Sequence, residues 1–140
     1  GLLLGAIGVP ASELVAAISR TEQAVQRTVE SVRGRWILEP NENAACELAL
    51  TGLASGQLVH AVIDRTFIQD DVRWVIDYKT SSPKSGETEV AFLEREEEHY
   101  RGQMKNYSEL LRAMEPKRGL KVALYFPLID AWREIATQDI

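Results

Sequence analysis

The sequence predicts an α/β fold built on a mixed sheet, in which an antiparallel three-strand meander is joined by a parallel strand after a crossover helix, with helices flanking the sheet. Three observations carry this prediction. Apolar residues recur at helical spacing over residues 12–33 and again over 92–114. Between them, residues 46–51, 57–68 and 72–80 read as strands separated by the short loops GLASG and QDD. After the second helix, LKVALYFPL is an apolar run bounded by turn signals, as a buried strand would be. Strand, long helix and buried strand make a crossover, so the last strand should lie parallel to an earlier one.

The elements follow in order. In the first helix Leu14, Ile18, Val25, Val29 and Val32 share a face, Ser12 after Pro10 serves as N-cap, and Gly34 marks the end. A loop at Pro40-Asn41-Glu42-Asn43 leads into the meander. The polar segment SSPKSGETE at 81–89 is a loop and a candidate mobile segment. The second helix opens on an acidic turn (Glu94, Glu96, Glu97, Glu98) that suits the positive end of the helix dipole and reads as a solvated face. An edge strand is expected around Trp132.

A chain of 140 residues is long enough for one domain, here 1–140, with a helical region at 1–34 and a core at 46–128. The net charge of −5 excludes a chain-wide attraction to phosphate backbones or anionic membranes. No apolar run approaches the roughly 18 residues of a membrane span. GLLLGAIG lacks a charged leader, and the start at Gly1 reads as a cut from a longer chain. Cys46 is the single cysteine; it reads as an inert core thiol in a reducing compartment. Trp36, Trp74 and Trp132 are assigned to the core, because no basic groove surrounds them.

Within AVIDRTFIQDDVRWVIDYKT, at 61–80, two carboxylates interrupt apolar runs. With Asp70-Asp71 as a two-residue turn, Gln69 faces Val72, Phe67 faces Trp74, and Asp64 faces Asp77. Ala61, Ile63, Phe67, Trp74, Ile76 and Tyr78 then form the core face, while Val62, Asp64, Thr66, Val75, Asp77 and Lys79 share the other. A three-residue turn would shift this register by one. Two unit charges roughly 5 Å apart repel by about 3 kcal/mol at an effective dielectric near 20. Either a hard divalent cation sits between them, or the carboxylates splay to solvent and Lys79 pairs with one.

The patterns IDR (63–65), IDYKT (76–80) and QMKNY (103–107) resemble the nuclease domain of the RecB family, a branch of the PD-(D/E)xK superfamily. The resemblance covers residues 47–128. It implies a restriction-endonuclease-like fold and metal-dependent hydrolysis of DNA phosphodiester bonds. It also implies Mg²⁺ or Mn²⁺ held by Asp64, Asp77 and the backbone carbonyl of Tyr78, with Lys79 acting on the attacking water and the developing charge. Gln103 and Tyr107 match the family's Q-x-x-x-Y pattern and are expected at the catalytic site or on the DNA, Arg65 is a candidate phosphate contact, and Glu47 matches a further acidic position.

The family context implies single-stranded DNA delivered by helicase motor domains of the same chain in recombination or repair. It implies exonucleolytic rather than endonucleolytic action, a partner subunit, no membrane, and a cytoplasmic, nucleoid-associated location. Three departures stand out: Ile63 replaces the signature Pro, Ala61 stands where Gly is frequent, and residues 1–59 hold no His, the usual further metal ligand. His60 is read as a non-ligand, about 13 Å along the strand from Asp64. The alternative reading is a catalytically inactive domain of this fold that binds DNA or a partner protein.

Overall fold

Ser31 divides the helical stretch that the sequence presents as one. The computed structural model describes residues 11–137. In it Ala11–Glu30 forms helix α1 and Val32–Leu38 forms helix α2. Ser31 adopts an extended backbone, and its hydroxyl accepts a hydrogen bond from Gly34 N at 2.9 Å, which makes it an N-cap. Gly34 therefore lies inside α2 and ends no helix. A Cβ there would stand 1.9 Å from the Thr28 carbonyl oxygen, so the glycine permits the close approach of α2 to α1. The apolar face expected of α1 is largely open: Ile18, Val25 and Val29 are exposed and Leu14 is half-buried, while Ala24 and Thr28 are buried.

Strands β1 (Glu42–Ala54), β2 (Gln57–Gln69) and β3 (Val72–Tyr78) form the expected meander, with longer arms in β1 than the sequence suggests. Both hairpin turns have two residues. Asp70 and Asp71 have φ of 52° and 60°, and Ser55 and Gly56 have 51° and 75°. Positive φ at both central positions is the geometry that matches the twist of the flanking strands. Asp-Asp thus makes the same turn that Asn-Gly or Asp-Gly would make.

Helix α3 (Glu89–Met114) crosses over to β4 (Gly119–Phe126), which runs parallel to β3, and β5 (Ala131–Ile135) pairs antiparallel with β4 at the edge. The sheet order is β1-β2-β3-β4-β5. Thr88 caps α3 by accepting from Ala91 N, so the helix starts three residues ahead of Phe92 and Glu89 supplies its first-turn acid. The acidic run that follows is only partly solvated. Glu96 is buried, and Glu97 pairs with Arg101 and Arg133. The 81–89 segment is tied to the helix by the two-point pair of Glu87 with Arg95, 3.0 Å each.

Both faces of the sheet are covered, which corrects the division of the hairpin into one core face and one open face. Ala61, Ile63 and Val75 pack under α3 with Phe92, Met104 and Leu111. Phe67, Trp74 and Ile76 pack on the opposite side with Ile37 of α2 and Tyr125. Ile63 and Phe67 would share a face in a regular strand. The alternation slips by one between them, around Asp64. Across from Asp64, Glu47 interrupts the ladder between the pairs Cys46↔Arg65 and Leu48↔Ile63 and has a φ of 52°. The three tryptophans do pack together, with ring centroids 5.1–5.8 Å apart. Cys46 is exposed rather than buried, its sulfur accepting from Arg65 Nη1.

Candidate active site

The last described hairpin pair is Arg65↔Ile76, and one further step places Asp64 opposite Asp77. The register expected from the two-residue turn is the one that forms. Asp64 is half-buried, and its Oδ2 accepts from the backbone N–H of Tyr78 at 2.8 Å. Asp77 is only 3% exposed. Burial raises its carboxyl to about 7, reinforced by a hydrogen bond with Asp64 and by that residue's charge, and opposed by Lys79. Asp77 thus readily holds a proton at neutral pH in the metal-free chain.

Lys79 follows β3 directly, and its backbone N–H donates to Tyr125 O of β4 at 2.9 Å. That bond fixes the direction in which its side chain leaves the sheet. The ammonium stands 2.6 Å from Asp77 Oδ2 and donates to Gln103 Oε1 at 3.3 Å. That ion pair is the contact that the buried Oδ2 makes, and a single ammonium faces two opposed carboxyl groups.

Gln103 and Tyr107 lie one turn apart on α3 and face the same way. Gln103 Nε2 donates to Tyr107 Oη, and Tyr107 Oη donates to Val62 O, each at 2.9 Å. A continuous relay therefore runs from Lys79 through Gln103 and Tyr107 to the backbone of β2. Burial, with the negative charges of Asp77 and Asp64, pushes the Tyr107 phenol up to about 12, so it remains a donor. The ring of Tyr100, on the same helical face, also meets Lys79, its centroid 3.6 Å from Nζ. Its place three residues before Gln103 was the available sequence signal.

The other expected site residues differ in their placement. Arg65 is buried and donates to Ile37 O at 2.9 Å and Glu39 O at 3.0 Å. Its guanidinium clamps the end of α2, which removes it from the phosphate-contacting set. Glu47 is exposed at the β1 position across from Asp64, in the register that the turn at Ser55-Gly56 sets. His60 bonds Thr51 Oγ1 through Nδ1 at 2.8 Å, across the β1–β2 ladder. Among the described residues no group of three or more His, Cys, Asp or Glu is arranged to hold a metal ion.

The paired acids nonetheless have the character of a cation site: two facing carboxyl groups, one of them buried, share a single ammonium and would suit a hard divalent ion. No curated protein matches the chain. A family model described as the PD-(D/E)XK nuclease superfamily matches residues 7–136. That match takes in every element from α1 to β5, including the paired acids and Lys79, and the chain belongs to the PD-(D/E)XK nuclease superfamily.

Proposed function

We propose that this domain is a Mg²⁺- or Mn²⁺-dependent deoxyribonuclease of the RecB branch, in which Asp64, Asp77 and the Tyr78 carbonyl hold the ion. The observation that carries the reading is the buried Asp77 carboxyl, facing Asp64 and paired with Lys79 Nζ at 2.6 Å. When bound, the ion polarises a phosphoryl oxygen and lowers the pKa of water. The chain's own residues do the rest. Lys79 places a fixed positive charge where negative charge develops on the phosphate and orients the attacking water. Gln103 holds the ammonium from the helix side. Tyr107 anchors Gln103 to β2 and, still protonated, serves as a donor rather than a base.

The chain's net negative charge favours DNA delivered by another element over capture by this domain alone. The three RecB-type patterns support a helicase motor in the same chain, single-stranded substrate, exonucleolytic action, a partner subunit, and a role in recombination or repair in the bacterial cytoplasm near the nucleoid. Among the described residues no helix is long and apolar enough to cross a membrane. A non-catalytic domain of the same fold, binding DNA or a partner protein, is favoured by the lack, among the described residues, of a group of three acidic, His or Cys side chains arranged to hold a metal ion. Calorimetric titration with Mn²⁺ separates the two. The nuclease reading expects binding that Asp77→Ala abolishes, and absence of binding by the wild-type chain would sink it.

A further inference from the structure

Tyr100, Gln103 and Tyr107 are spaced by three and four on α3 and so share one helical face. The Q-x-x-x-Y pattern includes the last two and omits the first. Yet Tyr100 makes the closest approach of an aromatic ring to the Lys79 ammonium, 3.6 Å from centroid to Nζ. The contact is made by the ring face, and among the described residues the Tyr100 hydroxyl enters no hydrogen bond. The ring packs against the core under α3, with its orientation further fixed by His99 at 4.6 Å between centroids. The Lys79 side chain is 13% exposed, so the cation meets the ring in a largely water-free setting, where cation–π attraction is strongest.

The three neighbours of the ammonium are a carboxylate, an amide oxygen and a ring. They respond differently to a divalent ion. An ion held by Asp77 neutralises the carboxylate and weakens its pull on Lys79, whose four-carbon stem is otherwise free to swing. The ring and the amide oxygen keep their attraction, because neither offers a charge to the metal. We propose that Tyr100 is a positioning residue that holds the Lys79 ammonium in place when the acids are occupied by metal. This rests on the nuclease reading of the site.

Two measurements on the same protein test it. With lysine ε-carbons labelled and the Lys79 signal assigned through Lys79→Arg, the ε-protons should be shifted upfield by the ring current of Tyr100, and should stay so on addition of Mg²⁺. Tyr100→Phe keeps the shift; Tyr100→Leu, which preserves apolar bulk, removes it. In cleavage of single-stranded DNA, Tyr100→Leu should lower kcat about tenfold with KM changed less than about twofold, while Tyr100→Phe stays near wild type. An unshifted Lys79 signal in the wild type, or loss of the shift with Mg²⁺, overturns the inference whatever the activity. Full activity in Tyr100→Leu overturns it as well. No cleavage by the wild type with the ring-current shift intact overturns the nuclease reading and the catalytic role built on it, and leaves only the contact.

Discussion

The β2–β3 hairpin carries ionised groups at both ends, and the two ends treat them in opposite ways. At the turn end Arg73 makes a two-point pair with Glu115, Nε to Oε1 at 2.8 Å and Nη2 to Oε2 at 3.2 Å. Arg118 then links Glu115, at 2.8 Å, to Asp71, at 2.6 Å. Two guanidiniums meet two carboxylates, and Arg73 holds the Glu115 carboxyl below its ordinary range. At the other end two carboxylates meet one ammonium, and burial raises Asp77 to about 7. The same two strands therefore hold one charge cluster that serves the fold and one that is left in deficit. The deficit marks the end where a cation is expected to act.

The largest effect is expected at the deficit end. Lys79→Ala should reduce DNA cleavage by roughly 10²–10³-fold, the scale for removing one preorganised electrostatic contact to the reacting group. Calorimetry should show Mn²⁺ binding retained, since the acids remain. Cleavage by this variant near the wild-type rate would contradict the role given to Lys79.

Asp77→Asn should separate folding from function at that end. The folded-state value of Asp77 lies above its ordinary 3.8, so the folded metal-free chain binds a proton more tightly than the unfolded one. The associated stability is fully present below pH 3.8 and is lost as pH rises to about 7. In EDTA at pH 7.5, about the upper end of this range, Asp77→Asn should therefore raise the unfolding free energy from urea titration by on the order of 2 kcal/mol and flatten the pH dependence. It should also abolish Mn²⁺ binding. A less stable Asn variant under these conditions would show that burying the Asp77 charge beside Asp64 does not carry the cost described.

Much of this fold was legible because it follows from local rules. The meander, the crossover and the parallel last strand come from apolar period and connection length. The facing of Asp64 and Asp77 follows from a two-residue turn, which Asp70 and Asp71 make at positive φ. What could not be read depends on contacts between distant segments. Gly34 looks like a terminator in sequence, and only the nearness of Thr28 shows its use as a spacer. Arg65 follows Asp64 in the motif and so points to the opposite face, the α2 side, where the carbonyls of Ile37 and Glu39 take its donors. Tyr100 reads as one more helix aromatic until Lys79 is placed beneath it.

At the balanced end the pH response should have the opposite sign. The Glu115 carboxyl is held below its ordinary 4.5, so its contribution is present above that value and is lost as pH falls through the depressed one. Glu115→Gln should destabilise the chain by about 1–2 kcal/mol at pH 7, because Arg73, largely buried, loses its charged acceptor. Combined with Asp77→Asn, the two changes should add within about 0.5 kcal/mol, as expected for separate sites. Strong coupling would mean that the two ends of the hairpin are not independent.

The smallest effect is expected at Asp71, and it tells which contact secures the turn end. Asp71 pairs with Arg118 at 2.6 Å, but its side chain is 84% exposed, and exposed pairs contribute little. Its backbone, at φ 60°, is in the region that glycine enters without steric cost. Asp71→Gly removes a weak ion pair and relieves the turn, so its net effect on urea stability should lie within about 0.5 kcal/mol of zero and lean towards stabilisation. A loss comparable with that of Glu115→Gln would place the strength of this end in the outer pair with Asp71. The buried geometry predicts that it lies in the Arg73–Glu115 contact, 2.8 Å long and close to the first residues of β3.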